Sequence, residues 1–223
     1  MVMSDKILTT GIGSLPEMQI DKAFEYSLQF DIPFFPQILS IHGNMIDQIN
    51  NSNFHGLQDF YDHCTRDHKK LVKVQIAGPA TTGLPVSHYK KIFSKLDSLS
   101  FNGQVLIFID EPVWNEFTID HIRNLGRKVS IHTCANLSDF QLDDNLLNDL
   151  DFFSYDYLLN PNLHNKVSNY EKLIPGCVDK DGKYSNILFE GYKIISPTCG
   201  LAGSSDISLV LKNLRTLKDP PIE

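Results

Sequence analysis

Continuous short runs of apolar and β-branched residues recur along the chain, near Ile7–Ile12, Ile32–Phe35, Val72–Ile76, Val105–Ile109, Val129–Ile131, Phe152–Tyr155, Leu173–Cys177 and Lys193–Ile195. Most do not alternate with polar residues, as expected of strands buried on both faces in a parallel sheet covered by helices. Helical patterns lie between them. In the last, Ile207, Val210, Leu211, Leu214 and Leu217 recur at spacings of three and four, with Ser204 or Ser205 as cap and a stop before Pro220-Pro221. Another starts at about Asn115, carries Phe117, Ile122 and Leu125 broadly on one side, and ends at Gly126. A third spans about Asp21 to Phe30.

Eight strand signals alternating with helical ones predict an α/β fold, a compact parallel β/α (TIM) barrel occupying 1–223 as a single domain. A doubly wound open sheet is the alternative. A barrel of this length has room only for short connections. Its weakest elements are the seventh run, which carries Pro175, and the segment after it, where Asp179 to Gly182 reads as loop.

Composition narrows the function classes. The chain has 223 residues, 42% of them hydrophobic, and 27 acidic against 20 basic side chains give a net charge of -7. With no run of five basic residues, its field repels phosphate backbones and anionic membranes, so neither nucleic acid nor a membrane is expected as partner. No apolar stretch approaches the roughly 20 residues of a membrane helix, and the N-terminus lacks a basic segment followed by an apolar core. A cytoplasmic location follows. Four cysteines in a chain this long do not make a disulfide scaffold, which leaves them for burial or metal ligation.

In a β/α barrel the chemistry sits at the C-terminal ends of strands, so polar residues directly after apolar runs are the candidates. Ser14, Asp110, His132, Cys134, Asp156 and Cys199 hold such positions. His132 and Cys134 are two apart and face the same way from a strand, and Cys199 is sixty-five positions further on, so only a closed fold brings the sulfurs together. Zinc accepts imidazole, thiolate and carboxylate in a tetrahedral array. His132, Cys134 and Cys199 supply three ligands and Asp156 a displaceable fourth; Cys177, just past the seventh run, is the competing fourth ligand of a closed structural site. His55, His63, Cys64 and His68 read as a solvated helix face.

The segments Thr10-Gly-Ile-Gly-Ser-Leu-Pro16, Gln75-Ile-Ala-Gly-Pro79, Ile109-Asp-Glu-Pro112, His132-Thr-Cys134 and Pro197-Thr-Cys-Gly-Leu201 together resemble the motifs of the catalytic domain of cobalamin-independent methionine synthase, in the same order and across nearly the whole chain. The resemblance implies a barrel of the uroporphyrinogen decarboxylase and methionine synthase superfamily, in which zinc activates homocysteine for methylation. It assigns His132, Cys134 and Cys199 to zinc, Ser14 to the amino-acid carboxylate and Asp110 to its ammonium, and it aligns Asp47 with a second ammonium-binding acid. Glu111 reads either as a brace for Asp110 or as a helix cap.

Three departures shape the expectation. The family's Glu after the sixth run is Asp156 here, a proton-handling His after the seventh run is missing, and the folate-binding N-terminal half of the long synthases is absent from the sequence. The methyl donor is accordingly a corrinoid, a corrinoid protein or methyl-folate. A porphyrinogen decarboxylase reading fails because the four arginines, Arg66, Arg123, Arg127 and Arg215, all fall in or beside helical patterns. A non-catalytic barrel that binds zinc or an amino-acid thiol is the alternative of another class.

Overall fold

Among the described residues, seven strands form one all-parallel sheet: β1 (Leu8–Thr9), β2 (Leu71–Ala77), β3 (Gln104–Asp110), β4 (Ser130–Thr133), β5 (Phe153–Asp156), β6 (Leu173–Val178) and β7 (Ile194–Pro197), in the order β1-β7-β6-β5-β4-β3-β2. The computed structural model describes residues 6–51, 54–114, 116–140, 142–185 and 191–219, without the side chains of residues 51, 116 and 117. Asn115, the Phe117 side chain and Pro220-Pro221, named above in helix boundaries, lie outside the described residues. The sheet curls in the manner of a TIM barrel and is not closed.

The expected strand at Ile32–Phe35 accounts for the opening. Residues 32–37 lie between the two edge strands but touch the chain on either side only through isolated parallel bridges, Thr10 with Ile32, Ser14 with Gln37, and Phe34 with Lys73. Ile32 and Gln37 donate backbone N–H groups to Thr9 and Gly13, and Phe35 donates to Lys73. Pro33 and Pro36 have no N–H to give, which prevents a continuous ladder. By contrast Pro175 does not weaken its strand: β6 runs six residues, all buried, and pairs with both neighbours. Asp179 to Gly182 is a turn, with Gly182 donating to the Asp179 carbonyl.

The strand period of two sorts the side chains. Val72, Val74, Ile76, Ile107, Ile109, Ile131 and Phe153 pack outward in one apolar cluster with the helices, including α4 (Leu57–Arg66) and α6 (Val86–Asp97). Leu106, Phe108, Ile174 and Ile194, with Ile32, fill a separate inner cluster. Nearer the C-terminal strand ends the alternating positions turn polar: Gln75 on β2, Asp110 on β3, His132 on β4, Ser154 and Asp156 on β5, and Ser196 on β7, with Lys73 and Ser130 lower down, in register with Leu106 and Phe108. Apolar filling below and polar groups above concentrate chemistry at one end.

Helices α1 (Ile20–Ser27) and α9 (Ile207–Lys218) cover the outer face at the other end of the sheet, where Ala23, Tyr26, Val210, Leu211, Leu214 and Leu217 pack with Cys177, Val178 and Ile195. The expected cap of α9, Ser204 or Ser205, gives way to Asp206, whose carboxylate accepts the N–H groups of Ser208 and Leu209 at 3.0 Å each. A carboxylate at that position also meets the positive end of the helix dipole. The remaining helices are short: α2 (Leu39–His42), α3 (Met45–Asn51), α5 (Pro79–Thr82), α7 (Glu116–Arg123) and α8 (Asp144–Asp149). Among the described residues no helix is long and apolar enough to cross a membrane.

Candidate metal and substrate site

His132 is the third residue of β4 and sits in register between Asp110 on β3 and Ser154 on β5. Its Nδ1 lies 3.0 Å from Ser154 Oγ, while Nε2 is buried without a partner. With the proton on Nδ1 donated to Ser154, Nε2 keeps its lone pair free, which is the arrangement of a metal-binding imidazole braced by an outer hydrogen bond. Cys134 follows β4 directly and Cys199 follows β7, in a loop tied by Thr198 N–H to the Val178 carbonyl and by Leu201 N–H to the Ser14 carbonyl. The two sulfurs and the imidazole nitrogen lie within 4.8 Å of one another, and this is the one group of three or more such side chains among the described residues.

Their chemistry suits a soft cation. The Cys134 thiol, sharing its proton with Cys199, and the neighbouring His132 hold the Cys199 thiol well below its ordinary range, while the same sharing and burial push Cys134 up. The pair thus favours a thiolate, the form that ligates zinc. An orphaned buried nitrogen beside two sulfurs fits zinc with thiolate and imidazole ligands.

The expected fourth ligand stands apart. Asp156 ends β5, but it is outside the cluster and its Oδ1 accepts the Leu159 N–H at 3.0 Å. Burial pushes its carboxyl up, against the Leu159 and Leu158 N–H groups. Cys177 is excluded by strand parity, because it packs on the helix side with Val210 and Leu214, and its thiol faces the Ser196 carbonyl at 3.7 Å. Burial pushes that thiol up to about 12, which makes it inert.

Beside the cluster lies a cavity of about 340 Å³, whose polar lining includes Ser14, Gln37, Asn44, Thr81 and Asp110, with Leu15, Leu39, Met45 and Ile46 among its apolar walls. Ser14 joins the two parts of the site, because its hydroxyl oxygen occupies the space a Cβ on Gly200 would need. Burial pushes the Asp110 carboxyl up, opposed by His132, the Gln75 amide and Lys73. Glu111, left open between two roles, turns back to the preceding strand end. Its carboxylate accepts the N–H groups of Ala80 and Thr81 at 2.9 Å each, capping α5, and its own N–H bonds the His132 carbonyl. Through its carboxylate and its backbone N–H, this one buried residue fastens the ends of β2, β3 and β4 together.

Asp47 is not brought to the site. It is exposed on α3, where its N–H bonds Asn44 Oδ1, and it does not line the cavity. Three residues of the site were missed in the sequence. Gln37 lines the cavity at 6% exposure with Oε1 unpartnered. Ser154 braces His132, and Lys73 is buried below Asp110. Ser154 and Lys73 are polar interruptions of apolar runs and were visible as such; Gln37 follows Pro36 with no local pattern.

No protein-family model matches the sequence, and neither does any curated protein. Among solved structures the chain is similar to a B12-independent methionine synthase from Shewanella sp. W3-18-1 in complex with selenomethionine, with TM-score 0.60 and 12% identity over 96% of this chain and 97% of that one. It is also similar to 2,3-dimethylmalate lyase, a member of the PEP mutase/isocitrate lyase superfamily, with TM-score 0.52 and 10% identity over 98% of this chain and 84% of that one. At these identities the likeness establishes the fold.

Proposed function

We propose that this chain is a zinc-dependent methyltransferase whose methyl acceptor is a small amino-acid thiol of the homocysteine type. The observation that carries the reading is the convergence of His132, Cys134 and Cys199 within 4.8 Å, next to a cavity that Ser14 and Asp110 line together. Zinc held by His132, Cys134 and Cys199 would bind the acceptor's sulfur as a thiolate near neutral pH, the form that attacks an alkyl group. Asp156 is our fourth protein ligand, which requires its release from the Leu159 N–H.

The rest of the task falls to side chains. The Asp110 carboxylate accepts the ammonium of the amino acid in a charge-assisted hydrogen bond, and the Ser14 hydroxyl donates to its carboxylate. Gln37 Oε1 serves as the second ammonium acceptor in place of Asp47. Ser154 holds the imidazole in one orientation, so that the sulfur and the amino-acid end are fixed from opposite sides. The selenomethionine complex of the structural neighbour, a methylated amino-acid chalcogen compound, supports this ligand class. The donor class remains a corrinoid, free or protein-bound, or a methyl-folate.

A second reading, a barrel that binds zinc or an amino-acid thiol without turnover, is favoured by one observation, the engagement of Asp156 by Leu159 outside the cluster. One experiment separates them. Zinc-loaded protein is incubated with homocysteine and either methylcobalamin or methyl-folate, and methionine is measured by mass spectrometry. Methionine formation that is lost in Cys199→Ser supports the methyltransferase; homocysteine binding without product from either donor supports a thiol binder; absence of binding overturns both of these and leaves a barrel that binds zinc alone.

A further inference from the structure

Residues 32–37 pair with β2 only as far as Phe35, whose N–H reaches the Lys73 carbonyl while the Lys73 N–H returns to Pro33. The next rung of a parallel ladder would carry the Gln37 N–H to the Gln75 carbonyl. That N–H goes instead to Gly13, and the Leu15 N–H comes back to the Gln37 carbonyl, so the Gln37 backbone is strapped to the loop after β1. The side chain supplies the missing rung: Gln37 Nε2 donates to the Gln75 carbonyl and to Gln48 Oε1 of α3, in two long bonds of 3.4 Å each. A buried main-chain carbonyl at a strand edge needs a donor, and only the nitrogen end of the amide can be one. The oxygen end is thereby turned the other way. Gln37 Oε1 lies against Gly13, next to Ser14, in a residue that lines the cavity, and it has no partner among the described residues. Gln48 is 5% exposed, and among the described residues its amide makes the bond to Gln37 while its Nε2 makes none. A methionine would fill that space without burying an amide, so the amide calls for a polar task.

We propose that Gln48 is a positioning residue: with the Gln75 carbonyl it fixes the Gln37 amide so that an acceptor faces the cavity, and the cavity thereby selects a thiol that carries an ammonium over the same thiol without one. The assignment rests on reading the cavity as an amino-acid site. An α-amino acid carries its carboxylate and ammonium on one carbon, so the groups that read them must be neighbours, as the paired residues Ser14 and Gln37 are. Gln48 does not line the cavity and acts through Gln37.

Calorimetry on the zinc-loaded chain with homocysteine and with 4-mercaptobutanoate, the same thiol without its amine, reads the preference directly. Gln48→Met and Gln37→Met are each expected to lower the preference for homocysteine by about tenfold, with 4-mercaptobutanoate bound as before, because a hydrogen bond to a charged group is lost. In the double variant the preference should equal that of Gln37→Met alone, since Gln48 then has nothing to hold. Equal weakening of both thiols in Gln48→Met, or a further drop in the double variant, would overturn the positioning role. Should Gln48→Met fail to fold, Gln48→Glu takes its place with the opposite expectation: an acceptor oxygen remains, so the preference stays, and its loss would overturn the proposal. A second readout needs no ligand. In chain labelled with nitrogen-15 at glutamine side chains, the Gln37 carboxamide protons are expected to exchange slowly with solvent in the wild type and about tenfold faster in Gln48→Met; fast exchange in the wild type would overturn the lock. If the wild type binds neither thiol, the amino-acid reading fails while the amide exchange still decides whether Gln48 holds Gln37. If it binds both thiols equally, the thiol site stands and the selection is overturned.

Discussion

Ser14 Oγ and Gly200 are packed so closely that the hydroxyl fills the place of the glycine's missing Cβ. Ser14, the proposed amino-acid anchor after β1, and the proposed ligand loop after β7 therefore meet across two strands that are paired neighbours in the sheet. Gly200→Ala is expected to leave the fold intact, because a serine hydroxyl can rotate away, and to weaken homocysteine binding by about tenfold. Calorimetry on the zinc-loaded variant checks this; unchanged affinity would remove Ser14 from the site.

Glu111 is expected to be a stability residue. Its two buried oxygens satisfy half-buried N–H groups at the start of α5, so Glu111→Gln, which offers one acceptor oxygen, should cost about 1–3 kcal/mol. Gly78→Ala should cost a similar amount, about 1–3 kcal/mol, because the new Cβ meets the Glu111 carboxylate and Ile109 Cγ2 in a packed layer. Urea denaturation measures both, and zinc content should remain that of the wild type.

Cys177 is expected to be dispensable for metal. Cys177→Ala should retain the zinc of the wild type while losing about 1–2 kcal/mol to a small cavity against α9. Loss of zinc in this variant would return Cys177 to the ligand set.

Burial depresses the Lys73 amine, which gives stability a pH slope. Between about 7, the folded value, and 10.5, the unfolded one, the unfolded chain holds a proton on this lysine that the folded chain does not. Stability therefore rises with pH across that window and the contribution is lost as pH falls through 7. Cys64 and Cys177, both pushed up to about 12 by burial, oppose this above 9, the ordinary thiol value. Unfolding free energies between pH 7.5 and 9 are expected to climb more steeply in the wild type than in Lys73→Met; equal slopes would contradict a depressed Lys73.

What the sequence disclosed followed from patterns that local physics enforces. Val72–Ile76 and Val105–Ile109 had to be strands buried on both faces, and the alternation of β4 put His132 and Cys134 on one side. Lys73, a charge in the middle of the buried run Val72–Ile76, was in plain view there and was nonetheless missed. Other features needed the folded chain. Pro33 and Pro36 thin the pairing of residues 32–37 to isolated bridges, so an apolar run there did not become a strand. Asp47 lay on a motif match alone, and α3 turns it to solvent, whereas Gln37 acquires its meaning only when the cavity assembles around it. Asp206 displaced the serines as the cap of α9 because a carboxylate serves the helix end better than a hydroxyl.

The ligand set is tested most directly by the zinc content of purified chain measured by elemental analysis, in the wild type and in His132→Ala, Cys134→Ser and Cys199→Ser. About one zinc per chain in the wild type, with severe loss in each variant and soluble, folded protein throughout, is the expected result. Zinc retained in both cysteine variants, or never bound by the wild type, would contradict a metal site at the ends of β4 and β7.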